Sequence, residues 1–171
     1  MSFSGDSGVL RISASWGGGQ AFEVCGAGAI CSLEPLDVSG VETLVVGNYP
    51  ETREHFTQAL RSLVNLCLLT LWECDNEMAF HALRQEGTLP LLRYLAIDSH
   101  TDKLRVSDLL EMEKVRKLRD QKLETLSFEV SSHDDLVGDI SSLQEHVGSV
   151  RYTTGSGDSS VSFFYLTSRC V

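Results

Sequence analysis

The sequence lacks an apolar run long enough to cross a membrane. Its longest, Leu63–Trp72, is interrupted by Asn65 and Thr70 and falls far short of the roughly 20 residues a spanning helix needs. The opening MSFSGDSGVL holds neither a basic segment nor an apolar stretch, so no secretory leader is expected. Basic charge is also short. Lys and Arg number 14 against 24 Asp and Glu, a net charge of −10, which argues against a nucleic-acid surface because phosphate contacts need a basic footprint. The five cysteines (Cys25, Cys31, Cys67, Cys74, Cys170) are odd in number and follow no disulfide framework. On one helix face Cys67 and Cys74 would stand about 10 Å apart, too far to bridge. Reduced thiols and a cytoplasmic or nuclear setting follow as the expectation. No Cys-x-x-Cys or His-x-x-x-His pair is present, so neither a metal nor a cofactor is expected.

What is present is an ordinary globular composition, 42% hydrophobic and 22% charged in 171 residues, enough for one domain with a sizeable core. The most pronounced pattern is Phe56–Trp72. Phe56, Ala59, Leu60, Leu63, Val64 and Cys67 open a series of apolar positions with helical spacing that continues through Leu68, Leu71 and Trp72. The spacing predicts a central buried helix, with Asn48 as a cap and Pro50, Glu51 and Glu54 suited to its first turn. On that reading Leu63 and Leu68 are both core residues.

Before this stretch the chain alternates. Leu10, Ile12, Ala14 and Trp16, then Phe22 and Val24 across Gly17-Gly18-Gly19, read as a hairpin over residues 9–25. Those glycines join two strands and no lysine follows, so they are a turn and not a phosphate loop. Further strands are expected around Ala29–Leu33 and Val41–Val46. Beyond the central stretch, Asp75 or Asn76 caps a short helix ending at Gly87, and Pro90 opens another whose Leu91, Leu92, Leu95 and Ala96 face inward.

The segments Ala59-Leu60-x-x-Leu63-x-Asn65-Leu66 and Glu86-Gly87-Thr88-Leu89-Pro90-Leu91-Leu92-x-x-Leu95 resemble the seam between two armadillo repeats. The resemblance is local, about residues 56–97, and implies a helical hairpin there.

A mixed-charge helix is expected over 108–124, where Lys114, Arg116, Lys117 and Arg119 form a solvated surface that can dock a partner. Leu126, Phe128 and Val130 alternate as a strand. Ser132-His133-Asp134-Asp135 reads as a capping box opening a helix with Leu136, Ile140, Leu143 and Val147 inward. A closing hairpin over Val150–Thr154 and Val161–Thr167 follows.

The fold expected is therefore α+β in one domain, 1–171. Residues 1–8 are frayed, 9–47 are antiparallel strands, 48–124 form a central helical block, and 125–171 make a β-α-β-β unit, with the strand groups sharing one sheet. The function expected is a non-enzymatic protein-interaction or structural subunit, an adaptor in a larger assembly with a protein partner. One alternative is a small enzyme assembled from distant residues, whose local candidates are Cys74, Asp75 and His81. A self-assembling structural protein, a homo-oligomer, is the other. No motif commits the chain to catalysis.

Overall fold

Apolar residues recur as a pair two apart, preceded by a third three residues earlier: Val41/Leu44/Val46, Leu66/Leu69/Leu71, Leu92/Leu95/Ile97 and Leu123/Leu126/Phe128. Every one of these is buried. In the computed structural model, which describes residues 11–15, 21–25, 38, 40–47, 52–99 and 103–154, each triplet turns the chain into a strand. The strands are β1 (Arg11–Ser15), β2 (Ala21–Cys25), β3 (Thr43–Gly47), β4 (Leu68–Trp72), β5 (Tyr94–Ser99), β7 (Thr125–Val130) and β9 (Ser149–Thr154). They form one sheet in the order β2-β1-β3-β4-β5-β7-β9. From β3 onward every pairing is parallel, while β1 pairs antiparallel with both β2 and β3.

A parallel pair needs a crossover, and the helices supply it. They are α1 (Arg53–Ser62), α2 (Asn76–Arg84), α3 (Val106–Leu118) and α4 (Ser141–Gln144), one between each successive pair of parallel strands. Two-residue strands β6 (Leu104–Arg105) and β8 (Leu136–Val137) precede α3 and α4 and pair with each other. The chain thus winds as a coil. The registered residues Thr43, Leu68, Tyr94, Thr125 and Ser149 lie 25, 26, 31 and 24 residues apart. Side chains stack in columns: Leu44–Leu69–Leu95–Leu126–Val150, and beside it Val46–Leu71–Ile97–Phe128–Tyr152. The helices stack in the same sequence, α1 on α2, α2 on α3 and α3 on α4. They enclose one apolar core against these columns.

Below the strands the turns are laddered as well. Glu42 O accepts from Cys67 N and Leu68 N, Cys67 O from Arg93 N and Tyr94 N, and Arg93 O from Glu124 N and Thr125 N, at 2.8–3.1 Å. Each turn is thereby seated on the turn before it.

A single sheet shared by the N-terminal and C-terminal strands, with helices on one face, agrees with the expected mixed α and β domain. Its middle does not read as expected. The continuous helix over Phe56–Trp72 is two elements. Thr52 caps α1 by accepting from His55 N, and the helix stops at Leu63, whose N–H bonds Leu60 O. After a turn the chain re-emerges as β4. The apolar spacing of three across Leu63, Leu66 and Leu69 suits a helix and equally a turn leading into a strand. Burial in the parallel sheet decides between them. The helix expected from Pro90 is likewise β5.

The armadillo resemblance is overturned by the same facts, because the stretch that carries it is a helix–strand–helix–strand passage in a mostly parallel sheet with four short helices. The mixed-charge helix begins at Val106 and ends at Leu118. Instead of one capped helix, Ser132–Val147 forms a 3-10 turn at His133–Asp135, then β8 and the four-residue α4, although Leu143 and Val147 are buried as the spacing requires. The expected strands at Ala29–Leu33 and Val161–Thr167 and the turn at Gly17–Gly19 lie outside the described residues. Among the described residues, no helix is long and apolar enough to cross a membrane.

The coil assigns neighbouring leucines opposite roles. Leu71→Ala, in a core column, is expected to cost about 2–5 kcal/mol in equilibrium denaturation. Leu68→Ala, on the half-buried side of the same strand, is expected to cost roughly 1 kcal/mol or less. Equal losses at the two positions would contradict this register.

Candidate functional site

Because strand side chains alternate, fixing Leu44, Leu69, Leu95 and Leu126 against the helices turns their neighbours to the other face. Three registered rows result: Thr43–Leu68–Tyr94–Thr125–Ser149, Val45–Thr70–Ala96–Ser127–Arg151 and Gly47–Trp72–Asp98–Glu129–Thr153. Apart from Gly47, these residues are half-buried or exposed, whereas the opposite rows are buried through Phe128. No described helix packs on them as α1–α4 pack on the columns.

The middle row is small, with Thr70, Ala96 and Ser127 side by side. The rows flanking it carry the aromatic groups. At one margin the Tyr94 hydroxyl donates to Glu124 Oε2 at 2.9 Å, and Arg93 pairs with Glu124 Oε1 at 3.2 Å. At the other margin Trp72 lies across Gly47, where a Cβ would come within 2.7 Å of its Cε3. Only glycine lets the indole settle this close to β3. Glu73 follows with φ of +49°, a left-handed conformation that is unusual for a non-glycine residue. It ends β4, its N–H bonds Asp98 O at 3.0 Å, and Cys74 is turned into the core.

That turn explains Cys74. Its thiol is buried and within 3.4 Å of Val46 O and 3.5 Å of Trp72 O, so it ties one coil to the strand of the previous coil. Asp75 is the N-cap of α2 and accepts from Met78 N at 3.1 Å. Next to it, Asn76 Nδ2 donates to Ser99 Oγ at 2.8 Å in the interior, a second tie between coils. His81 is half-buried on α2 with Nε2 3.2 Å from Gln85 Nε2. It lines a shallow groove of about 290 Å³ between α1 and α2, with Arg53, Arg61 and Gln85 but without Cys74 or Asp75. The three residues named as a candidate catalytic set therefore face different surroundings. Among the described residues, no group of three or more His, Cys, Asp or Glu could hold a metal ion.

The candidate docking surface on α3 is divided. Lys114, Lys117 and Arg119 are exposed, and Arg119 Nη1 donates to Arg84 O at 2.9 Å. Arg116 is not part of that surface. It has no exposed area, and its Nη2 donates to Leu89 O and Leu92 O at 3.2 Å, fastening α3 to the turn before β5. One helical turn away Glu113 is also fully buried, and its Oε2 accepts from Leu123 N at 3.4 Å in the turn before β7. A charge-rich sequence cannot show which of its charges point inward, and α3 turns two of them.

Burial raises the Glu113 carboxyl from the usual 4.5 to about 7, against the pull of the nearby Arg116 guanidinium. Burial also pushes Arg116 below its ordinary value, opposed by Glu113. Since folded Glu113 holds its proton more tightly than the unfolded chain does, folding takes up a proton between about pH 4.5 and 7. The group's contribution to stability is then complete below pH 4.5 and is lost as the pH climbs through about 7. The loss is on the order of 3 kcal/mol.

The face residues, Trp72 above all, were hidden in the sequence by the helical spacing of Phe56–Trp72. The signal that would have found them is the recurrence of an apolar pair two apart every 24–31 residues.

Chemical denaturation of the wild-type protein is expected to show falling stability from about pH 5 to pH 8, and Glu113→Gln should flatten that slope. An unchanged slope would remove Glu113 as its source. Arg116→Glu is expected to destabilise by about 3–5 kcal/mol, since it removes the donor to Leu89 O and Leu92 O and leaves an uncompensated buried charge, while Lys117→Glu stays within about 0.5 kcal/mol. Cys74 is expected to react slowly with iodoacetamide in the folded protein and quickly once unfolded; rapid modification at neutral pH would show an accessible thiolate. Scans against family models and searches of characterised proteins and of solved structures return no match to this chain.

Proposed function

We propose that this protein is a non-enzymatic protein-binding module that receives its partner on the open face of the parallel sheet. The observation that carries the reading is the contrast between the two faces of the same five strands. One is buried under helices, and the other presents three continuous rows that no described helix covers. The pattern Leu66-x-x-Leu69-x-Leu71-x-x-Cys74 has the leucine-rich-repeat form, in which each unit is one strand and one helix. Solenoids built by stacking such units use their extended sheet surfaces for binding.

The chemistry of the face suits a chain better than a small molecule. A row of Thr70, Ala96 and Ser127 leaves room for a backbone to approach, and aromatic groups on either side offer anchors. A net charge of −10 disfavours nucleic acid as the partner. Buried, reduced Cys67 and Cys74 fit a reducing compartment, cytosolic or nuclear.

A photo-crosslinking residue placed at Thr70 is expected to capture a stoichiometric protein partner in extracts of the native source, and one placed at Lys114 is expected to capture none. Capture from Lys114 alone would move the interface to α3, and capture from neither would overturn the reading.

A further inference from the structure

Between Arg116 and Leu123 the chain leaves α3 and turns into β7 with almost nothing buried. Lys117, Leu118, Arg119, Asp120 and Lys122 are exposed, and Gln121 is half-buried. Asp120 has a φ of +59°, a conformation that few residues with a side chain adopt. A turn with so little buried area opens at a lower cost than the whole fold does. What pins it from inside is polar. Glu113 Oε2 accepts from Leu123 N at 3.4 Å, and Arg116 Nη2 donates to Leu89 O and Leu92 O at 3.2 Å. Both side chains are fully buried, yet Glu113 Oε1 and Arg116 Nε and Nη1 have no hydrogen-bond partner among the described residues. Such atoms gain hydration as soon as the turn parts from the core, and an ionised carboxylate gains the most.

The charged groups around Glu113 come from every element packed against it. On α3 the Arg116 guanidinium favours its ionised form, and Arg119 acts in turn against the charge on Arg116. Lys122, in the turn itself, also favours the carboxylate. From α2, Arg84 pairs with the exposed Glu111, and at the starts of β5 and β7 Arg93 pairs with Glu124. After α4 comes His146, two residues before Gly148, whose N–H bonds Leu123 O at 3.2 Å.

We propose that Glu113 and Arg116 form a proton-operated latch. With the Glu113 carboxyl protonated, the end of α3 and the turn into β7 stay closed on the core; loss of that proton lets this segment open locally while the stacked coils stay folded. Burial holds the carboxyl at about 7 in the closed form, and exposure returns it to the usual 4.5. Opening therefore releases a proton, so the open fraction climbs as the pH rises from about 4.5 to 7 and levels off above that. The latch lies beside the Tyr94 margin of the sheet face, because Tyr94 and Arg93 both bond Glu124, the residue after Leu123. Only its bearing on that margin rests on the protein-binding reading; the latch itself does not.

Native-state hydrogen exchange of the whole chain at low urea concentrations tests the latch, with the Leu123 amide as reporter. After correction for intrinsic exchange, its protection is expected to fall about 40-fold from pH 5 to pH 7, through an opening that barely depends on urea. The Val46 and Leu71 amides, inside the stacked strands, should open only with the steep urea dependence of global unfolding. Glu113→Gln should reduce the pH response at Leu123 to less than about threefold, and His146→Gln should leave it unchanged. A Leu123 amide that shares the urea dependence of Val46 and Leu71 overturns the latch, because the turn then opens only with the whole fold. A flat pH response overturns it too, as does one that survives Glu113→Gln or disappears with His146→Gln. The urea and pH dependence of the wild-type chain decide the outcome even where Glu113→Gln fails to fold.

Discussion

Everything in this protein depends on the in-register stacking of its coils. Parallel strands offer each other slanted backbone hydrogen bonds, slightly less stable per residue than antiparallel ones, and they cannot be joined by a tight turn. Two devices compensate. The turns are themselves laddered, with Glu42, Cys67 and Arg93 each offering a carbonyl to two N–H groups of the next coil. The apolar columns place like against like at one strand spacing, so every coil buries the one before it. A coil alone would leave Leu69 and Leu71 open on both sides; stability therefore comes from neighbours, as in any stacked repeat.

Polar groups enter this interior where they link coils. Cys74 reaches carbonyls of β3 and β4, Asn76 meets Ser99, and Arg116 grips the turn before β5 while Glu113 grips the turn before β7. The last two are the costly ones. Among the described residues, Arg116 Nε and Nη1, Glu113 Oε1 and Thr88 Oγ1 are buried without hydrogen-bond partners. Burial outweighs mutual attraction at Glu113, which is why its proton affinity rises although a guanidinium is near. This pair holds two successive turns in register and thereby sets the spacing of β5 and β7 on the open face.

The face itself is a by-product of that economy. Helices cover one side of the sheet because the columns must be buried, and the other side, which no described helix covers, carries small, polar and aromatic residues. Its two margins differ in what they carry: on one Glu124 accepts from Tyr94 and pairs with Arg93, and on the other Trp72 lies across Gly47, which is registered opposite Arg11. Strain at Glu73 belongs to the same corner, where the chain leaves β4 and turns Cys74 inward.

The sequence by itself determined most of the apolar residues that form the core, the N-terminal strand pair, a cap at Asp75 or Asn76, the strand at Leu126–Val130 and the presence of both helices and strands in one domain. Those features follow from local chemistry: alternation, a side-chain oxygen ahead of a helix, or a hydrophobic side chain with nowhere else to go. Tertiary structure alone decided that Leu68–Trp72 and Tyr94–Ser99 are strands, that Arg116 points inward, and that Trp72 belongs to the sheet face that no described helix covers. Leucines three and four apart satisfy a helix, and leucines three and then two apart satisfy a turn and a strand. A stretch such as Leu63–Trp72 contains both spacings, and only burial between β3 and β5 selects one. A charge on α3 likewise becomes internal only because turns from two neighbouring coils present a backbone carbonyl and an N–H to it.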